Sequence, residues 1–348
     1  MGAEPAAGDR PRTLVVHHRS GIGDLIWHVP YIRAIAATSR GGRVTLMARP
    51  SCRASDLLRA EPAIEEVIEY DYRPRRSECR RGRDAGLRGF LRIAALVRSR
   101  RFDRVYIFSS RTRYAFLAWF AGIPRRAGFG FSRVQRFALG TGPYIRPHRG
   151  EGNWVYPEAT EFARAHGFVQ GALVPRIDVP QELLAEAAQT LSALPARRVA
   201  LVIGTSEPRK DWGVARFTRL AQALLARECG VLVLGGPTEA GAAERILAGL
   251  GRPPHAVAVC RVSVLQSAAV LKCCQLCVGN DTGALNLAAA VGVRCVGLFG
   301  PTRPLRHDPG IEAVEAASMD AIAVDDVLRR VDAIVVPHGI EQGRTSSA

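Results

Sequence analysis

Lysine is almost missing from this chain of 348 residues: Lys210 and Lys272 are the only two, and arginine carries the rest of the positive charge. A lysine that persists in such a chain is poorly explained as solubilising surface and suits a point charge placed for a purpose. Long apolar runs are missing as well. The longest, around residues 115–123, falls far short of a membrane span. Residues 1–12 hold no apolar core of the secretory kind and, like residues 337–348, read as a loose tail. A soluble, cytoplasmic protein is the expectation. The eight cysteines follow no disulfide framework and should be reduced. Cys274 and Cys277 form a C-x-x-C, but it has no second pair and runs straight into an apolar stretch, so packing explains it better than metal. No D-x-D occurs, nor any His, Cys and carboxylate cluster at ligand spacing, so neither a metal nor another cofactor is expected. Gly21-Ile22-Gly23-Asp24 lacks the third glycine and the ribose acid of a dinucleotide fingerprint, which counts against a nicotinamide-dependent oxidoreductase.

What the chain has in excess is arginine, and mostly in its first half. Residues 1–175 hold 30 arginines against 15 acidic residues, so nearly all of the net +16 falls there. Residues 73–113 alone hold 14 arginines. This imbalance points to an anionic partner for the first half, although a solvated basic face is the plainer alternative. Nucleic acid is not expected: no binding motif and no aromatic platform accompanies the arginines. A phosphorylated glycolipid on an anionic membrane surface fits the same charge. Arg111 and Arg113 are the expected contacts to that anionic partner, and peripheral contact with the inner membrane is the corresponding expectation.

Apolar strands alternate with helical periodicity along the chain: strands at 13–18, 44–48, 66–70 and 104–108, helices at 25–37, 86–97 and 114–121. Pro30 is expected to kink the first helix. Prolines at 175 and 180 mark a linker, after which the alternation resumes with strands at 198–203, 231–234 and 275–278 and helices at 182–194, 214–227, 239–250 and 264–272. The expected architecture is α/β, with two doubly wound Rossmann-like domains at 13–175 and 181–320 facing a central cleft. A last helix falls within residues 321–336.

The stretch Val278-Gly279-Asn280-Asp281-Thr282-Gly283-Ala284-Leu285-Asn286 reads as a strand, a tight turn and a helix too apolar to be anything but buried. Its helix N-terminus, with the Thr282 hydroxyl and the bare backbone of Gly283, suits an anion; Asn286 lies on the same helix face. Asp281 beside a diphosphate would repel it, so it orients the turn or contacts sugar or ribose. Thr205, Ser206 and Lys210 follow the 198–203 strand, where two hydroxyls and a cation also suit a diphosphate. Asp24 opens the first helix and reads either as a carboxylate complementing the helix dipole or as a general base facing the cleft. Glu239 follows Gly235-Gly236 and equally reads as a helix-start acid.

Asn280-Asp281-Thr282-Gly283, followed by Leu287 to Val293 and by Leu298-Phe299-Gly300-Pro301-Thr302-Arg303-Pro304, resembles the signature of the lipopolysaccharide heptosyltransferases, glycosyltransferase family 9. The resemblance runs from Leu14 to about Thr302. It implies the GT-B fold, with the last helix crossing back onto the first domain. It further implies inverting, metal-independent transfer of a sugar from a nucleotide diphosphate donor, ADP-heptose, to a lipopolysaccharide-type acceptor. Asp24, in the intact Gly23-Asp24 to Pro30 pattern, would be the base, Lys210 the phosphate-binding lysine and Glu239 the ribose ligand. Asn286 stands where the family usually has histidine, which keeps a hydrogen-bond donor and loses a charge. A catalytically impaired sugar-nucleotide-binding relative is the alternative.

Overall fold

Runs such as Thr13-Leu14-Val15-Val16-His17 are buried along their whole length, as strands covered on both faces must be. The computed structural model describes residues 10–75, 78–140, 142–205, 207–304 and 306–335. The first lobe runs β1 (Thr13–His17), α1 (Ile22–Ala37), β2 (Val44–Ala48), α2 (Ala54–Leu57), β3 (Ile64–Glu69), α3 (Gly86–Ser99), β4 (Arg104–Phe108), α4 (Thr112–Phe120), β5 (Arg125–Gly128), α5 (Arg133–Leu139) and α6 (Val155–Ala165). The second runs α7 (Gln181–Thr190), β6 (Arg198–Val202), α8 (Val214–Leu225), β7 (Gly230–Leu234), α9 (Ala240–Gly249), β8 (Ala256–Val259), α10 (Val264–Lys272), β9 (Leu276–Asn280), α11 (Gly283–Ala290), β10 (Arg294–Phe299), β11 (Ile311–Glu315) and α12 (Val324–Val335). Each sheet is parallel throughout, ordered β3-β2-β1-β4-β5 in the first lobe and β11-β10-β9-β6-β7-β8 in the second. Strand order reverses between β1 and β4, and again between β6 and β9. The carboxyl ends of those pairs are where doubly wound sheets bind ligands.

α1 and α11 are buried nearly all round, which explains their lack of a polar stripe. α1 begins at Ile22, earlier than the spacing predicted, and continues through Pro30 to Ala37. The two helices meet across the lobes. A Cβ on Gly283 would stand 2.9 Å from the Gly23 nitrogen, so only glycine permits this approach. Leu25, Ile26 and Val29 of α1 share one apolar cluster with Leu285, Leu287 and Ala288 of α11.

α12 corrects one expectation. Instead of crossing to the first lobe, it lays Val324, Val327 and Val331 into the core of the second, beside Val296, Leu298 and Phe217. Arg227, just past the end of α8, forks onto Asp332 at 2.7 and 2.9 Å, and the buried Trp212 indole donates to the Ile322 carbonyl at 3.0 Å. The hydrophobic face of α12 is satisfied there, so nothing draws it away. Among the described residues no helix is long and apolar enough to cross a membrane.

Candidate active site

The two strand-order reversals come together where the start of α1, after β1, packs against the start of α11, after β9, with Gly23 beside Gly283 and Asn286. Asp24 sits in the first turn of α1, just past the carboxyl end of β1. Burial pushes its carboxyl above the ordinary aspartate range, while Arg19, a backbone contact with Gly21, Arg75 and Lys210 pull it back. Arg19 Nε lies 3.6 Å from Asp24 Oδ2. A carboxylate partly desolvated and partly compensated keeps a proton affinity useful to a base.

Lys210 comes from the other lobe, on the turn after β6. Its Nζ is 2.9 Å from Asp281 Oδ2 and 3.5 Å from Glu207 Oε1. Asp281 also accepts from Thr302 Oγ1 at 2.8 Å, so it orients the lysine and ties the turns after β9 and β10 together. Thr282 caps α11 by position but not by hydrogen bond: its Oγ1 is buried without a partner. That hydroxyl, at a helix N-terminus, is left open to a hydrogen bond from outside the protein.

Several expected ligands have other work. Gly283 was expected to admit a ligand to the backbone, but what approaches it is the chain at Ile22 and Gly23. Asn286 was expected to face the donor. It is buried and spans the lobes, accepting from Trp27 Nε1 at 3.0 Å and donating to the Thr282 carbonyl at 2.9 Å. Glu239 accepts from the Gly236 N–H and the Thr238 hydroxyl, both at 2.7 Å, and so fills the helix-start role. Its carboxylate still lies over Gly204 at the end of β6. Thr205 Oγ1 holds its own turn through both backbone groups of Glu207. Ser206 lies outside the described residues.

No group of three or more His, Cys, Asp or Glu able to hold a metal ion occurs among the described residues. A model of glycosyltransferase family 9 (heptosyltransferase) matches residues 90–326, well over half of the chain. The chain belongs to glycosyltransferase family 9. Within that family it is similar to lipopolysaccharide heptosyltransferase 2 of Escherichia coli K12, 25% identical over 303 residues covering 82% of each chain. The solved family 9 glycosyl transferase of Veillonella parvula superposes with a TM-score of 0.76 at 18% identity, covering 95% of this chain and 98% of that one. The heptosyltransferase WaaC of E. coli, solved with ADP-2-deoxy-2-fluoro heptose, gives 0.70 at 17% identity over 92% and 99%. These likenesses establish the GT-B fold.

On the first lobe of this family 9 chain, Arg111 is exposed at the start of α4, past the carboxyl end of β4. Arg113 does not present itself as an acceptor contact. Its guanidinium stacks on Tyr72 at 4.9 Å, Phe90 at 5.1 Å and Tyr70 at 5.5 Å, and donates to the Tyr70 hydroxyl. Reading the sequence also missed Arg19, Arg75 and Trp27. Arg19 borders the turn that carries Asp24, and its place beside that acid was the available signal. Arg75 reaches the carbonyls of Ser20 and Ser51 through the fold alone.

Proposed function

We propose that this family 9 chain is an inverting glycosyltransferase. Its donor is a nucleotide diphosphate sugar, ADP-heptose, and its acceptor an anionic glycolipid or glycan of lipopolysaccharide type. One observation carries the reading: the start of α1, which bears Asp24, packs against the start of α11 from the other lobe, Gly23 lying beside Gly283, and Lys210 is held at that helix end by Asp281. The heptose and the lipopolysaccharide acceptor rest on the family and on relatives named for them.

Asp24 takes the proton of the acceptor hydroxyl as its oxygen attacks the anomeric carbon from the face opposite the diphosphate. The bond from that carbon to the diphosphate oxygen breaks, and the electron pair leaves with the diphosphate. Lys210 exchanges Asp281 for the leaving phosphates. The N–H groups opening α11 and the Thr282 hydroxyl receive the same charge, joined by Ser206 and by Thr205 once its hydroxyl turns from the Glu207 carbonyl. Glu239 is assigned to the ribose hydroxyls. Arg111 faces the acceptor, presented at an anionic membrane surface on which the protein rests peripherally. Charge on the diphosphate is met by Lys210 and the helix end, so the reading invokes no divalent metal.

The test is a thermal-shift panel of ADP-heptose, other ADP-, GDP- and UDP-sugars and NAD, with and without magnesium. ADP-heptose raises the melting temperature without magnesium, and Lys210→Ala abolishes that rise. Stabilisation by NAD alone sinks the reading.

A further inference from the structure

The described residues expose ten large apolar side chains, and six stand on three neighbouring helices of the first lobe. They are Leu87 and Leu91 on α3, Trp119 and Phe120 on α4, and Val134 and Phe137 on α5, with Leu87 72% and Phe137 71% exposed. The rings are joined: Trp119 meets Phe120 at 5.4 Å and Phe137 at 5.8 Å, and Phe120 meets Phe90 of α3 at 5.7 Å. Leu87 and Leu91 lie one turn apart on the outer side of α3, whose core side is already filled by Phe90, Ile93, Ala94 and Val97. Single exposed apolar residues are ordinary; an aromatic patch continuous over three helices marks an interaction surface.

Charge selects the partner. No acidic residue occurs on α3, α4 or α5, while Arg88, Arg98, Arg133 and Arg136 are exposed on them, and Arg92 is exposed but paired with the buried Asp84. Leucines and aromatic rings ringed by guanidinium groups match an anionic lipid leaflet, the apolar groups entering the acyl boundary and the arginines meeting phosphates. A second copy of this chain would bring the same arginines face to face. Phe90, beneath the patch, is also the ring on which Arg113 from the first turn of α4 stacks, so the patch packs directly onto that helix.

We propose that the α3–α4–α5 face docks on an anionic lipid bilayer and holds the cleft mouth at the surface where the acceptor is presented. Its purpose rests on the acceptor reading above; its test does not. Full-length protein is sedimented with acceptor-free vesicles of phosphatidylglycerol and phosphatidylethanolamine, and with phosphatidylcholine vesicles. The protein partitions onto the anionic vesicles, less so at high salt, and far less onto phosphatidylcholine. Phe120→Ser with Phe137→Ser lowers the partitioning roughly ten-fold or more. Leu87→Ser with Leu91→Ser, on a different helix, does the same, and both pairs keep the wild-type melting temperature and ADP-heptose shift. Absent binding by the wild type, or equal binding by both variants, overturns the proposal. So does a wild-type dimer that both variants split while no vesicle is bound. Vesicle binding without any donor shift leaves the docking standing and removes the transferase reading instead.

Discussion

Asp24 shows what a single residue can disclose and what it withholds. The sequence put a carboxylate at the start of a helix and left dipole complement and base both open; the base is the proposed role, for a carboxyl whose pKa burial raises and nearby cations lower. A base must be unprotonated to act, so activity should fall as pH drops through the raised pKa of Asp24. Asp24→Asn should lower kcat by roughly 10²–10⁴-fold while the donor-induced thermal shift survives. Arg19→Ala removes a cation that lowers that pKa, so the acidic limb of kcat/KM should move to higher pH. An unmoved limb would assign it to another group. Asn286 illustrates the opposite case. Its spacing put it on the helix face of Thr282 and Gly283, but its partner Trp27 lies 259 residues away in sequence. No local pattern carries that information.

Central strands and buried helices were legible as elements because burial on both faces leaves continuous apolar runs. β5, β8 and β11 escaped notice, and all three are edge strands. Arg125-Arg126-Ala127-Gly128 and Ile311-Glu312-Ala313-Val314-Glu315 show why for two of them: a half-exposed edge admits charge and loses the apolar signal, whereas Ala256-Val257-Ala258-Val259 is apolar but only four residues long. The turn at Asp281–Gly283 was legible as a helix start, whereas the use of its glycine was not. That use makes a prediction about the contact between α1 and α11. Gly283→Ala would put a methyl 2.9 Å from the Gly23 nitrogen and 3.2 Å from Ile22 Cβ, so the helices must part. Stability should fall by about 1–3 kcal/mol. Asp24 and the start of α11 would separate, so kcat should fall further than that loss of stability explains. Urea unfolding beside steady-state kinetics checks this, and full activity in the Gly283→Ala variant would show that the contact does not set the cleft. Trp27→Phe leaves the Asn286 carbonyl unpaired and should cost about 1–3 kcal/mol in the same measurement.

Taken whole, the molecule separates its charges by lobe: most of the arginine on the first, Lys210 beside the start of α11 on the second, and an apolar seam of α1 and α11 between them. The charge asymmetry was visible in composition; the seam was not, because each helix looked like the core of its own lobe. The seam also lies beside a buried histidine pair that links global stability to pH. His17 Nδ1 and His28 Nδ1 are 2.9 Å apart, each ring 1% exposed, and His17 Nε2 has no partner. Burial holds the His17 imidazole well below its ordinary pKa and lowers that of His28 to about 3, with neighbouring histidines and Arg19 adding to both. The folded core therefore accepts the neutral rings, and below about pH 6.5 the unfolded chain binds more protons than the folded one. The stability from these rings is complete above that pH and is lost progressively as pH falls toward the folded values. Urea midpoints should decline from about pH 7 to about pH 4.5, and replacing His17 and His28 together by leucine should flatten that decline. Two like rings facing each other are a pair that apolar side chains can replace at little cost, so the double variant should still fold at neutral pH. A decline of the same slope in the double variant would place the linkage elsewhere in the chain.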